Sequence, residues 1–220
     1  LSLRLTEIFY SLQGEAARVG LPTVFIRLTG CPLRCTWCDT TYSFTGGSAW
    51  EIADILAEAA RLIPNHATHH TARHVCVTGG EPLAQKECPA LLCALCDAGY
   101  DVCLETSGAL DIAAVDPRVS RIMDLKAPAS GESERNLWAN LQHLTPRDEI
   151  KIIIADRADY DWACRQLAAH RLAERCPVLF SPAQGDLEAR QLAEWILQDG
   201  LPVRFQLQLH KLLWGNMQGK

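Results

Sequence analysis

The residues most able to do chemistry in this 220-residue chain are Cys31-Pro-Leu-Arg-Cys35-Thr-Trp-Cys38-Asp39-Thr40, three thiols spaced C-x3-C-x2-C. Three thiolates on one short loop can bind three irons of a cubane cluster. Protein-bound [4Fe–4S] clusters ordinarily take four Cys ligands, so a three-ligand loop leaves one iron open to another group. A structural zinc site wants two C-x2-C pairs or a Cys/His set closed at four ligands, and no such partner lies at a natural distance. A redox dithiol is a lone C-x-x-C, which gives Cys31 no role. The plainest alternative is three small core residues. Against it stand Pro32, Arg34 and Asp39, which make this a polar loop.

The rest of the chain must position that loop. Its length fits one domain, residues 1–220, with a substantial core. Hydrophobic residues make up 48% and charged residues 21%, ordinary for a soluble enzyme. The net charge of −5 gives no basic footprint for nucleic acid. No run of eighteen apolar residues predicts a membrane span. The N-terminal Leu-Ser-Leu-Arg-Leu-Thr-Glu has no signal-peptide h-region. The ten cysteines then read as cytosolic thiols and metal ligands rather than a disulfide frame, and the expected location is cytoplasmic.

Residues 3–10 read as a strand running into the polar turn Ser11-Leu12-Gln13-Gly14-Glu15. Thr23–Leu28 is a second strand, and Arg27 inside it needs a carboxylate, from the protein or from a ligand. Ser48-Ala-Trp-Glu51 has the form of a capping box, with a helix to about Ile63. His66, His69 and His70 sit in a polar loop without helical spacing and read as solvated. Further strands are expected at 74–78, 101–105, 121–125, 149–155, 177–181 and 203–211. Helices are expected at about 87–98, 136–144, 157–173 and 187–198. Cys88, Cys93, Cys96 and Cys103 read as core residues, because free Cys packs as a small hydrophobe.

Strands alternating with helices from residue 23 onward argue for parallel β/α units. About seven strands fall short of a closed eight-stranded barrel. The expected fold is therefore an α/β incomplete, open parallel barrel. The cysteine loop, Thr78-Gly-Gly-Glu-Pro82, Glu105-Thr-Ser-Gly108, Asp124-Leu-Lys126, Ser181-Pro-Ala-Gln184 and Gln208-Leu-His-Lys211 each follow a strand. In a parallel barrel all strand C-termini open on one face, so six polar motifs converge on one mouth.

The cysteine loop, with Trp37 before its last Cys, resembles the signature of the radical S-adenosylmethionine (SAM) enzymes. There the open iron is chelated by SAM, and an electron from the cluster releases a 5′-deoxyadenosyl radical. Within that superfamily the chain resembles the 7-carboxy-7-deazaguanine synthases from end to end. The likeness rests on Glu7-Ile-Phe-Tyr-Ser-Leu-Gln-Gly-Glu15, Phe25-Ile-Arg27, Gly30-Cys31, Cys35-x-Trp-Cys38-Asp-Thr40 and the motifs above. It implies conversion of 6-carboxy-5,6,7,8-tetrahydropterin to 7-carboxy-7-deazaguanine in queuosine biosynthesis, with loss of ammonia. It also implies a radical SAM-type barrel, a [4Fe–4S] cluster, reusable SAM, Mg2+, a flavodoxin or ferredoxin reductant and a homodimer.

The same resemblance implies residue roles. Cys31, Cys35 and Cys38 hold the cluster. Gly80 lies along the SAM methionine, with Glu81 near its amino group, and Trp37, Cys38 and Asp39 pass its edge. Ser107, Asp124, Lys126, Ser181 and Gln184 contact SAM, with Leu125, Pro182 and Ala183 in the same turns. Leu12, Gln13, Gly14, Glu15 and Thr78 read the pterin, Arg27 takes its carboxylate, His210 closes the pocket and Thr40 ligates Mg2+. Ala16 replaces a usual Gly, a change of little cost where φ is negative. Asp124-Leu-Lys replaces a Ser-Pro-Lys turn. A tail from Trp214 to Lys220 leaves Asn216 or backbone to stand in for a terminal carboxylate at the substrate. Three alternatives remain: a glycyl-radical activase, a non-catalytic iron–sulfur carrier, for which Cys76 is the nearest other thiol in sequence, and a pterin-binding module.

Overall fold

Short apolar runs bounded by polar turns form the parallel sheet that this pattern favours. The computed structural model describes residues 1–64, 73–215 and 217–219. The His66, His69 and His70 loop and Asn216 lie outside the described residues. The elements are β1 (Ser2–Leu12), β2 (Pro22–Leu28), β3 (Ser48–Glu51), α1 (Ile52–Leu62), β4 (His74–Gly79), α2 (Cys88–Asp97), β5 (Asp101–Thr106), β6 (Ser120–Leu125), β7 (Glu149–Ile154), α3 (Arg157–Ala169), β8 (Val178–Pro182), α4 (Ala189–Asp199), β9 (Arg204–Phe205) and α5 (Leu209–Trp214). One sheet runs β3-β1-β2-β4-β5-β6-β7-β8-β9. It is parallel from β2 to β9, while β1 and β3 add antiparallel. The expected seven parallel strands are present, and the end strands β3 and β9 do not pair with each other, so the barrel is open.

Strand alternation sorts side chains between two cores. Val24, Ile26, Val75, Val77, Leu104, Met123, Ile150, Ile152 and Phe180 belong to the large cluster packed with the helices. Phe25, Cys76, Cys103 and Ile122, with Ala16 and Phe9, form a small cluster on the opposite face of the strands. Two residues further along those strands stand Arg27, Thr78, Glu105 and Asp124. The inner face is therefore an apolar floor below a polar layer. Cys88 and Cys103 are buried, and Cys96 packs against the larger core, in line with their reading as core thiols, whereas Cys93 is half-buried outside the core, where its Sγ meets Asp97 Oδ2 (3.7 Å) and Arg118 Nη2 (3.6 Å).

Three local expectations are corrected. Ser48–Glu51 is not a capping box but strand β3, paired antiparallel with the first residues of β1. The helix begins after it, with no side-chain cap from Glu51. Residues 136–144 hold a 3-10 segment, Trp138–His143, rather than an α-helix. The last strand stops at Phe205, and Gln208-Leu-His-Lys starts α5. There Leu209 N donates to Gly14 O (3.0 Å), not to a further strand.

Ala16 does not have the negative φ that makes its replacement of Gly inexpensive. Its φ is +62°, a conformation that costs an L-residue about 1–2 kcal/mol. Gln206 offsets this: its Oε1 accepts from Ala16 N (2.6 Å) and its Nε2 donates to Ala16 O (3.2 Å).

Asp148 ties β6 to β7 from a fully buried position. It accepts from Arg121 N (2.7 Å), Nε (3.0 Å) and Nη2 (3.0 Å), and from Thr145 N (2.7 Å) and Oγ1 (2.9 Å). Asp148→Ala strands the buried Arg121 charge and is expected to cost about 3–5 kcal/mol. Denaturant unfolding checks this, and a loss below about 1 kcal/mol, the scale of an ordinary substitution, contradicts it.

Candidate functional site

The cysteine loop leaves β2 directly and is held by its own backbone contacts. Arg34 Nη1 donates to the carbonyls of Cys31 (2.7 Å) and Leu33 (2.6 Å), and its guanidinium lies 4.3 Å from the Phe44 ring centroid. Thr36 N donates to Ser130 O (3.1 Å), and Thr36 Oγ1 to Ala129 O (2.7 Å), which docks the loop on the segment after β6. Glu81 N donates to Gly30 O (2.8 Å), docking it on the turn after β4. Burial raises the Cys31 thiol above its ordinary pKa and pushes Cys35 up to about 11, although Lys126 partly opposes the latter shift.

One cavity of about 570 Å³ opens over the polar layer, and the three thiols line it. That volume is of the size that holds small-molecule ligands. Leu12, Gln13, Gly14, Glu15, Arg27, Trp37, Asp39, Thr40, Thr78, Gly80, Ser107, Asp124, Lys126, Ala183, Gln184 and His210 line it as well. Thus most of the expected residues, drawn from both ends of the chain, meet at one place.

Four expected residues do not line the cavity. Glu81 is fully buried, and its carboxylate accepts from Leu83 N, Thr106 Oγ1, Ser107 N and Ser107 Oγ. It fixes the turn after β5 instead of facing outward. The Leu125 side chain belongs to the helix-side core. Ser181 is completely buried, and Pro182 is half-buried beside it.

The cavity is strongly charged, and its groups are paired. Arg27 Nε donates to Glu7 Oε1 (2.7 Å), which also accepts from Tyr42 Oη (2.8 Å). The Arg27 guanidinium lies 5.9 Å from the ring centroids of both Phe9 and Tyr42. Burial opposes its charge, but Tyr42 and Glu7 outweigh burial and raise its pKa. Arg27 therefore has a protein carboxylate already, on one of its three nitrogens. Gln13 Oε1 accepts from Gly14 N (2.8 Å) and Glu15 N (3.3 Å), shaping the turn from within. Its Nε2 donates to Glu105 Oε1 (3.3 Å), while Thr78 Oγ1 donates to Glu105 Oε2 (2.8 Å). Burial pushes Glu15 up, and Lys151 and Gln208 more than reverse this.

α5 closes one side of the cavity. Gln208 Nε2 donates to Glu15 Oε1 (2.6 Å), and Lys211 Nζ pairs with Asp39 Oδ2 (2.8 Å). His210 packs so closely on Gly14 that a Cβ there would lie 2.1 Å from its Nδ1. Burial lowers the His210 pKa against the pull of Glu15 and Asp39, so the ring is neutral at pH 7. Burial raises Asp39 as well, but Lys211 and Thr40 outweigh it and hold its carboxyl below the usual range.

The residues fit the cluster and SAM that the sequence implies. Among the described residues, buried Ser11 Oγ, Trp37 Nε1, Asp124 Oδ1 and Ser181 Oγ have no hydrogen-bond partner, and of these Trp37 and Asp124 line the cavity. Buried polar atoms are rarely left so, and a polar cofactor satisfies such atoms. Among the described residues no three His, Cys, Asp or Glu converge as ligands of one metal ion. A cubane spreads its thiolates over separate irons, which suits three thiols along one wall. Cys76, the other thiol nearest in sequence, is in the apolar floor cluster, away from the lining set. Thr40 donates its hydroxyl to Asp39 Oδ1 (2.7 Å).

A model of the radical SAM superfamily matches residues 25–168. The 7-carboxy-7-deazaguanine synthase of Chlorobaculum tepidum is 46% identical over 96% of this chain and 94% of its own. This chain belongs to the 7-carboxy-7-deazaguanine synthases, within the radical SAM superfamily. The synthase of Koribacter versatilis is 42% identical over 96% of this chain and 97% of its own. The crystal structure of QueE from Escherichia coli superposes with a TM-score of 0.75 at 26% identity, covering 95% of each chain.

Within this synthase fold, several cavity residues carried no assigned role in the sequence reading: Phe9, Tyr42, Glu105, Lys151, Gln208 and Lys211. Lys151 was open to detection by the signal that marked Arg27, a lone cation in an apolar strand. Glu105 carried a weaker sign, a single acid at the end of an apolar strand.

Proposed function

We propose that this cavity converts 6-carboxy-5,6,7,8-tetrahydropterin to 7-carboxy-7-deazaguanine, with loss of ammonia, as a step of queuosine biosynthesis. The reading is carried by the thiol loop and Arg27 sharing one strand–loop unit on the cavity wall. Arg27 gives Nε to Glu7 and keeps both terminal nitrogens for a carboxylate, the fork geometry that Arg offers best. Cys31, Cys35 and Cys38 would hold a [4Fe–4S] cluster, which together with bound SAM would supply a 5′-deoxyadenosyl radical.

The protein's own part is orientation and exclusion of water. Gly80, Trp37, Asp124 and Lys126 hold SAM against the loop, with Ser107, Ala183 and Gln184 along its edge. Phe9 and Phe25, stacked at 5.0 Å, give an apolar face beside the pterin ring. Leu12, the Gln13–Glu15 turn and Thr78 read the polar edge of the ring. His210 covers it from α5. Thr40 contributes one oxygen to Mg2+, a cation that takes few protein ligands and keeps substrate oxygens and water. A low-potential donor, flavodoxin or ferredoxin, and a homodimeric assembly belong to the same reading.

The test is an anaerobic assay of the reconstituted enzyme with SAM, dithionite and Mg2+. Arg27→Ala is expected to raise KM for the carboxypterin about 100-fold, the scale of about 3 kcal/mol for lost charge-assisted hydrogen bonds. Formation of 5′-deoxyadenosine by the parent enzyme without 7-carboxy-7-deazaguanine would overturn the substrate assignment.

A further inference from the structure

β7 contributes six buried residues in a row, and Lys151 is the one cation among them. Its ammonium donates to Glu15 Oε2 and lies 3.6 Å from Asp124 Oδ2. Glu15 Oε1 is held in turn by Gln208 Nε2 (2.6 Å). Lys151, Glu15 and Asp124 all line the cavity. We infer that Lys151 is a positioning residue for substrate, holding Glu15 as a fixed, ion-paired acceptor in the turn that reads the pterin. The inference rests on the substrate assignment made above and assigns how one of its contacts is maintained.

Chemistry separates this role from a merely structural one. A buried ion pair gives little net stability over an apolar pair of the same volume, so stability alone does not account for placing one in a ligand cavity. The polar edge of a pterin presents N–H donors, and an ionised carboxylate accepts without donating. Each Glu15 oxygen makes one protein hydrogen bond and has acceptor capacity left. Protonation would replace one acceptor by an O–H aimed at the N–H groups of the ring.

What keeps Glu15 ionised is its surroundings. Burial alone drives it toward the neutral form, and Lys151 is the largest opposing influence, followed by the hydrogen bond from Gln208. Burial opposes the charge of Lys151, but Glu15, Asp124 from β6 and Glu105 from β5 outweigh it and keep that lysine charged. Without Lys151, the remaining groups facing Glu15 are Gln208 and the neutral His210, while the two acids nearby oppose a further negative charge. The Glu15 pKa then rises toward the assay range. Substrate binding fails at low pH and recovers as pH rises.

KM for 6-carboxytetrahydropterin is measured with the reconstituted enzyme from pH 6.5 to 8.5, each variant as a ratio to the parent. For Lys151→Met the ratio is expected to be large at pH 6.5 and to fall by about tenfold per unit until the new Glu15 pKa is passed, as a single required ionisation dictates. Lys151→Met combined with Glu15→Gln is expected to give a ratio independent of pH. A flat ratio for Lys151→Met overturns the inference. If that variant does not fold, Glu15→Gln is compared with the double variant. Equal KM values support action through Glu15, and a further rise on removing Lys151 overturns it. Absence of product from the parent enzyme removes the substrate assignment and this inference with it, whereas product from the parent with a flat ratio removes this inference alone.

Discussion

Cys35→Ala is expected to reduce both 5′-deoxyadenosine and product to background while leaving the fold intact. Cys35 lines the cavity, is half-buried and makes no side-chain hydrogen bond among the described residues. Its removal therefore costs little stability, within about 1 kcal/mol for a substitution outside the core. The loop path survives as well, because Arg34 grips the carbonyls of Cys31 and Leu33, and Thr36 docks on Ser130 and Ala129. What is lost is one of three thiolates, where a cubane already has one fewer protein ligand than the usual four. Iron and sulfide content, visible absorption and the anaerobic assay are read on the same preparation, with circular dichroism as the check on folding. Cys93→Ala, on α2 and not lining the cavity, is the control and is expected to keep its iron. Full iron content and turnover in Cys35→Ala would sink the cluster assignment.

The cysteine loop was legible because iron–thiolate chemistry demands both residue type and spacing, and both lie within one short segment. The seven parallel strands were legible because each is a local apolar run. What failed was local pattern whose meaning is decided elsewhere. Ser48-Ala-Trp-Glu51 satisfies the capping-box pattern, yet the free edge of β1 claims its backbone for a strand. Gln208-Leu-His-Lys followed a strand-like run, yet Gln206 turns in to Ala16, 190 residues away, and Leu209 bonds to Gly14. The positive φ of Ala16 depends on the same distant clamp.

The charged layer shows the same division. Arg27 announced itself as a cation in an apolar strand, and the structure gives it the Glu7 carboxylate as partner, with the Tyr42 ring beside it. Glu81 and Ser107 come from motifs that looked equally exposed to cofactor. The structure spends Glu81 on holding the Ser107 turn, because a carboxylate completely removed from water needs several donors. Sequence marks which turns gather at the mouth of the barrel. It does not mark which side chain of each turn faces the ligand and which holds its neighbour.

The second large effect is expected at Gly80. The segment after β4 zips onto the end of β2 and the residues that follow it: Gly80 N donates to Leu28 O (3.2 Å), and Glu81 N to Gly30 O (2.8 Å). A Cβ added at Gly80 would lie 2.3 Å from Gly30 O, 2.6 Å from Gly30 C and 2.8 Å from Cys31 Cβ. Two of these are backbone atoms and the third is the first side-chain carbon, so no rotamer change relieves the contact. Either the Gly30–Cys31 peptide moves or the zip opens, and each shifts the first cluster ligand relative to Cys35 and Cys38. Overpacking of this kind costs about 1–3 kcal/mol of stability, which a domain of this size can survive. The functional cost is larger, because a displacement of about 1 Å in a positioned site can cost about 100-fold in rate. Gly80→Ala is therefore expected to stay folded, to bind SAM more weakly by calorimetry, and to lose about 100-fold or more in kcat/KM. If Gly80→Ala binds SAM and turns over like the parent enzyme, the turn after β4 is not the wall against which cluster loop and cofactor are set.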